Sequence, residues 1–197
     1  MEQRRAYILN KAKEVFIEHG YEKTTMKHIM EKANISRGGL YQYFSNKEDV
    51  YETILDEALK ESMKNSAELL KDNAASHWEL LLSCMFGKGG RPNDKMDPMG
   101  PSNLEFFISG RKDQRRREYG KVRYENGVKI YRDIIEQGQE RGEFQPSFQS
   151  EVLARSIVTF LDGLALDHTI LPSEDLKIKE QAELFVEFLK IALGMKK

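Results

Sequence analysis

The chain has 197 residues, 40% of them hydrophobic and 32% charged, which suits a compact globular fold with a core and a hydrated surface. No stretch of about 18 uncharged apolar residues is present, so no membrane span is expected, and the N-terminus Met1-Glu2-Gln3-Arg4-Arg5 lacks the apolar centre of a secretion signal. The single cysteine, Cys84, excludes an internal disulfide and a cysteine-rich zinc site. The net charge of −1 hides an asymmetry. Residues 1–47 carry nine Lys/Arg against five Asp/Glu, or +4, while the remainder carries 22 against 27, or −5. A basic head on an acidic body suggests two tasks, one of them facing a polyanion.

In chain order, Ile8, Ala12, Val15 and Phe16 recur at helical spacing over residues 4–18, and His19-Gly20 stops that helix with a glycine suited to a left-handed residue. Thr24-Thr25 provide a cap for a short second helix carrying Met26, Ile29, Met30 and Ala33. Asn34-Ile35 forms a tight turn. Ser36 then caps a third helix that extends from Arg37 to Phe44. Ser45-Asn46-Lys47-Glu48 reads as a capping box, with Ser45 accepting from the backbone and Glu48 reaching back. A long fourth helix, 47–70, follows, and a fifth covers 77–86.

The glycine- and proline-rich stretch 87–101 reads as loop. Helical pattern resumes near Ser102 and runs to Gly138, with a break around 110–114. Gly142-Glu143-Phe144-Gln145-Pro146 is a second break, and two helices, 149–169 and 174–194, close the chain. Few prolines and long periodic stretches favour an all-α fold.

Two short helices joined by a tight turn on a basic surface describe a helix-turn-helix. Leu40 and Phe44, four apart, face the small core with Ile8, Ala12 and Phe16, which leaves Arg37, Gly38, Tyr41 and Gln42 outward. Arg37 suits a bidentate pair with guanine, or a phosphate, and Gln42 suits a base edge. Thr25, Tyr41, Tyr43 and Lys47 offer hydroxyl and ammonium donors to the DNA backbone.

The run from Gly20-Tyr21 through Thr24-Thr25-Met26, Ile29, Ala33-Asn34-Ile35-Ser36-Arg37-Gly38-Gly39-Leu40-Tyr41-Gln42-Tyr43-Phe44 to Ser45-Asn46-Lys47-Glu48 resembles the DNA-binding domain of the TetR family of bacterial repressors. Gly138…Gly142-Glu143-Phe144 resembles that family's G-x-x-x-G-E-F turn. The resemblance implies an N-terminal three-helix DNA-binding domain, 1–47, and a C-terminal helical ligand-binding and dimerisation domain, 48–197, linked by the helix 47–70. It places Thr25, Tyr41, Tyr43 and Lys47 at phosphate positions and Ser36, Arg37, Gly38, Gly39 and Gln42 at or near the bases. Gly39 departs from the family, where Thr, Ser or Ala is commoner, and two adjacent glycines cost a helix about 1 kcal/mol each relative to Ala. The implied protein is a cytoplasmic homodimeric repressor on a palindromic operator, joined through its two last helices and released by a small effector.

Trp78, Phe106, Phe107, Tyr124 and His168 are the pocket candidates, and they suit an apolar or aromatic ligand. The apolar faces of the last two helices, from Val152 to Leu164 and from Leu184 to Leu193, exceed the needs of one small core and suit a second subunit. No cofactor is expected, and no catalytic or metal residues: the four histidines are scattered, no nucleophile, base and orienter share a motif, and Gly87-Lys88-Gly89-Gly90 lacks phosphate-loop spacing. The basic run 111–117 reads as a solvated face or a helix junction rather than a second DNA contact, because it lies outside the DNA-binding domain.

Overall fold

The computed structural model describes residues 2–71, 76–87 and 89–195. Among these the regular structure is all helical, with no strand. The helices are α1 (Glu2–Lys23), α2 (Met26–Ala33), α3 (Arg37–Tyr41), α4 (Lys47–Lys71), α5 (His77–Phe86), α6 (Gly100–Ser109), α7 (Gln114–Glu140), α8 (Ser150–His168), α9 (Ser173–Leu176) and α10 (Ile178–Ala192), with a 3-10 turn at Gly110–Lys112. Lys88, within the glycine-rich stretch, lies outside the described residues.

The chain forms two compact units. The first comprises Met1–Lys60 and Asp97–Arg117, the second Glu61–Met96 and Glu118–Lys197. The first unit therefore extends beyond residues 1–47: it takes in the start of α4, all of α6 and the first turn of α7.

The core of the first unit is built by α1, α2 and α3 with the start of α4 and α6. Ile8, Ala12, Phe16, Ile29, Leu40, Phe44 and Val50 are all buried, as the helical spacing demands. Phe16, Tyr21, Tyr51 and Phe106 form an aromatic cluster with ring centroids 4.6–4.9 Å apart for Phe16–Tyr51, Tyr21–Tyr51, Tyr21–Phe106 and Tyr51–Phe106. Polar contacts fix α6 there. Buried Ser102 donates its hydroxyl to the Phe16 carbonyl at 2.9 Å, Tyr51 donates to Asn103 Oδ1 at 2.7 Å, and Glu105 accepts from the Glu22 amide at 3.0 Å. Gly20 has φ 74° and ψ 170°, a region open to glycine almost alone, so it breaks α1 without adopting the left-handed helical conformer. A Cβ at Gly20 would also lie 2.6 Å from the Glu105 carboxylate.

The second unit packs α5, α7, α8 and α10 around Leu80, Leu81, Met85, Ile134, Ile135, Phe144, Leu153, Ile157, Leu189 and Leu193. Its G-x-x-x-G-E-F segment acts as a three-part lock. Gly138 leaves room for the Phe144 ring, since a Cβ there would stand 2.3 Å from ring carbons. Gly142 turns the chain with φ 75°. Glu143 then accepts from the His77 backbone amide at 2.7 Å and meets His77 Nδ1 at 2.6 Å, holding the first residue of α5. Ser76 and Glu79 complete a reciprocal cap on the same helix.

Among the boundaries that differ from the sequence reading, three have a visible local cause. The α-helical part of α3 ends at Tyr41 rather than Phe44, because the Tyr43 and Phe44 amides both turn back to the Leu40 carbonyl. The cap of α4 is shifted by one residue: Asn46 Oδ1 accepts from the Asp49 amide and Asp49 accepts from the Ser45 amide, both at 2.8 Å. The expected single helix 174–194 is split at Lys177, which is left-handed with φ 47°. That break lets both Leu176 and Ile178, two residues apart, enter a small core with Leu164. Asp94 caps the restart by accepting from the Lys179 amide at 3.2 Å.

Candidate nucleic-acid interface

The helix-turn-helix is assembled from short-range capping contacts. Thr24 ends α1 by donating its hydroxyl to the Gly20 carbonyl at 2.6 Å and is itself buried. Thr25, exposed, starts α2 by accepting from the His28 amide at 3.3 Å. Asn34 closes α2 in the left-handed conformation, φ 49° and ψ 54°, with its amide on the Glu31 carbonyl and the Ile35 amide on the Met30 carbonyl. Ser36 then caps α3 by accepting from the Gly39 amide at 3.2 Å. Leu40 and Phe44 point inward, so the outer face of α3 is fixed by what the core takes.

That outer face carries Ser36, Arg37, Gly38, Tyr41 and Gln42, all exposed. The Arg37 guanidinium lies 5.5 Å from the centre of the Tyr41 ring, one turn away, which holds the two as a pair. Gly38 faces open space, and a Cβ there would meet nothing within 4 Å. Gly39 is different: a Cβ would sit 3.3 Å from Ser36 Oγ, crowding the cap. The glycine that departs from the family pattern thus lies against the capping serine. Tyr43 is half-buried. Lys27, in the first turn of α2 two residues from Thr25, is another exposed cation at this end that the sequence reading missed.

Lys47 is tied to the end of α1. Its ammonium donates to the Tyr21 carbonyl at 2.6 Å and the Glu22 carbonyl at 3.2 Å, and it lies 4.2 Å from the centre of the Tyr21 ring. Burial lowers its pKa, with Arg116 adding to the effect and Glu22 and Glu105 opposing it. Two of its three donors are therefore held by the end of α1.

The basic run 111–117 belongs to the same compact unit as the helix-turn-helix. Its character as a helix junction agrees with the contacts. Arg111 donates to the Ile108 carbonyl at 2.8 Å, Arg115 pairs with Glu48 at 2.5 Å and Glu52 at 2.6 Å, and Arg116 donates to the Phe106 carbonyl.

The five pocket candidates are divided between the two units. Phe106 is fully buried in the aromatic cluster of the first unit, where it is core; half-buried Phe107 stands beside it at 5.2 Å. Trp78, Tyr124 and His168 belong to the second unit. There Trp78 packs on the main core and Tyr124 lies under the Arg155 guanidinium at 5.4 Å. A shallow groove of about 410 Å³ runs along α8, lined by Val152, Arg155, Ser156, Thr159 and Phe160, none of them among the five.

Among the described residues no group of three or more His, Cys, Asp or Glu side chains is placed to hold a metal ion, and no helix is long and apolar enough to cross a membrane.

Capped short helices at a left-handed turn, with a polar and cationic outer face, define a helix-turn-helix protein. Residues 8–54 match the family model described as bacterial regulatory proteins of the tetR family, and residues 93–179 match that of the tetracyclin repressor-like C-terminal domain. The chain belongs to the TetR family of DNA-binding transcriptional regulators. It is 29% identical over 195 residues to the uncharacterized HTH-type transcriptional regulator YfiR of Bacillus subtilis, covering 98% of this chain and 93% of that one. Its fold is similar to a TetR transcription regulator from Haloarcula marismortui, with TM-score 0.77 at 18% identity and 98% of each chain covered. It is also similar to the regulator FadR from Bacillus subtilis, solved in complex with stearoyl-CoA, with TM-score 0.68 at 19% identity over 97% of this chain and 99% of that one.

Proposed function

We propose that this regulator is a cytoplasmic homodimeric repressor that binds a palindromic operator through α3 and leaves it when a small, largely apolar effector binds the helical domain. The observation that carries the DNA reading is the outer face of α3, where Arg37, Tyr41 and Gln42 stand free of the core while Leu40 is completely buried. In this reading Thr25, Tyr41, Tyr43 and Lys47 meet phosphates, and Ser36, Arg37, Gly38, Gly39 and Gln42 lie at or near the bases. The operative division is at residue 47, with α4 leading from the reading head into the responding domain.

The dimer reading is supported by apolar side chains that α8 and α10 leave uncovered. Val152 is 49% exposed, Leu184 and Phe188 each 56%, and Ile191 74%. A second copy covering these faces would fix the spacing of two recognition helices at about 34–36 Å or a multiple of it, as a palindrome requires. The effector reading is supported by the aromatic residues Trp78 and Tyr124 in the second unit and by the acyl-CoA bound to the FadR structure. An effector acts by its differential affinity for the DNA-competent and released dimers. No catalytic role is assigned to any residue.

Native mass spectrometry of the protein with its selected operator tests this reading. Two subunits per site, displaced by acyl or aromatic ligands added in turn, are expected; a monomer on DNA contradicts the dimer.

A further inference from the structure

The basic run 111–117 contains one arginine that is not a surface charge. Arg116 keeps only 14% of its side chain exposed. Its guanidinium lies 4.3 Å from the centre of the Phe106 ring and 5.3 Å from that of Tyr21, and it donates to the Phe106 carbonyl and to Ser109 Oγ. Burying an arginine this far is uncommon; here stacking on two rings and the two hydrogen bonds from Nη2 hold it, while its buried Nε makes no hydrogen bond and lies 3.9 Å from Glu48 Oε1. Tyr21 is itself buried, and burial pushes its hydroxyl pKa up to about 12. The same tyrosine supplies both the carbonyl and the ring that hold the Lys47 ammonium.

We propose that Arg116 is a positioning residue for DNA binding, acting through Tyr21 on Lys47. The proposal rests on the reading of Lys47 as a phosphate contact. The chain of contacts is short. Arg116 fixes the Tyr21 ring against Phe106; the Tyr21 and Glu22 carbonyls fix the ammonium at the start of α4 and take two of its three N–H groups. Loosening Tyr21 frees both carbonyl partners of Lys47 to shift, and the phosphate contact loses its geometry. Arg116 lies in the first turn of α7, and α7 continues beyond Arg117 into the second unit. The residue that positions the DNA contact therefore stands on a helix shared by the reading and responding parts of the chain.

Charge and position are separable at this site. Arg116→Lys keeps the positive charge but cannot span both rings and both acceptors with a planar fork. Arg116→Met keeps bulk and removes the charge. The test is a titration of a short random-sequence duplex at two salt concentrations with wild type, Arg116→Lys, Arg116→Met, Lys47→Ala and the double variant Arg116→Met/Lys47→Ala. Thermal melts by circular dichroism identify the variants that remain folded at the assay temperature. Loss of one phosphate contact lowers affinity about tenfold at 0.1 M salt and reduces the salt slope by about one. Lys47→Ala and both Arg116 variants are expected to show that loss, and the double variant is expected to be no weaker than Lys47→Ala. Wild-type affinity in a folded Arg116→Lys, or losses that multiply in the double variant, overturns the proposal while leaving the Lys47 reading intact. Wild-type affinity in Lys47→Ala overturns that reading and the proposal with it.

Discussion

Glu143 grips His77 at two points: its Oε2 accepts the backbone amide at 2.7 Å and its Oε1 lies 2.6 Å from ring Nδ1. One carboxylate from the G-x-x-x-G-E-F turn therefore closes the N-terminus of α5 and engages a side chain only 2% exposed. Burial pushes the Glu143 pKa up, but hydrogen bonds from the His77 ring and backbone outweigh it, and the net shift is downward.

A pH dependence follows from that direction. A carboxylate with a folded pKa below its unfolded value stabilises the protein above the unfolded pKa, and the contribution is lost as pH falls through the folded one. Thermal melts from pH 7 to pH 3 should show wild type losing more stability than Glu143→Gln as acid is added below the usual glutamate range, about pH 4.3. Parallel curves for the two proteins would contradict the account.

Gly138 is a steric requirement of the same lock. Adding a methyl puts it 2.3 Å from the Phe144 ring, so Gly138→Ala should destabilise by about 1–3 kcal/mol through overpacking. In a Phe144→Ala background the same change should be close to neutral, as urea titrations of the four proteins would show. Additive losses would place the cost of Gly138→Ala elsewhere.

The two recognition-helix glycines should respond in opposite ways. Gly38 has open space around it, so Gly38→Ala should stabilise the free protein by about 0.5–1 kcal/mol through helix propensity. At Gly39 the crowding of the Ser36 cap should cancel that gain. If the α3 backbone approaches the groove at Gly38, the more stable Gly38→Ala protein should nevertheless bind operator more weakly. Melts and operator titrations on the same samples separate the two effects; undiminished binding would remove Gly38 from the interface.

Phe188 and Ile191 lie one turn apart on α10 and are both exposed. In sedimentation velocity, wild type should run as the proposed dimer and Phe188→Lys as a folded monomer, because that side chain is not part of the buried core. An unchanged dimer would move the interface away from α10.

The reading head was legible in the sequence because its signals are local. Thr25, Asn34 and Ser36 each act on a backbone group within four residues, and Leu40 and Phe44 are spaced for one face. The G-x-x-x-G-E-F turn was visible as a pattern, but its partner His77 lies 66 residues away and no spacing announces it. The same limit hid Arg116 and the membership of α6 in the first unit, where Phe106 is fully buried. Helical periodicity reports which face of a helix is apolar, not which neighbour covers it. Lys177 was invisible for another reason: a left-handed lysine carries no glycine to mark it.

Selection of genomic fragments by the purified protein, followed by titration of the enriched sequence at two salt concentrations, tests the central claim that α3 presents a DNA-reading face. The account predicts an enriched inverted repeat bound by an even number of subunits, with affinity falling steeply as salt rises, and relaxed base preference in Arg37→Ala. Failure to enrich any sequence, together with weak binding at low salt, would contradict it.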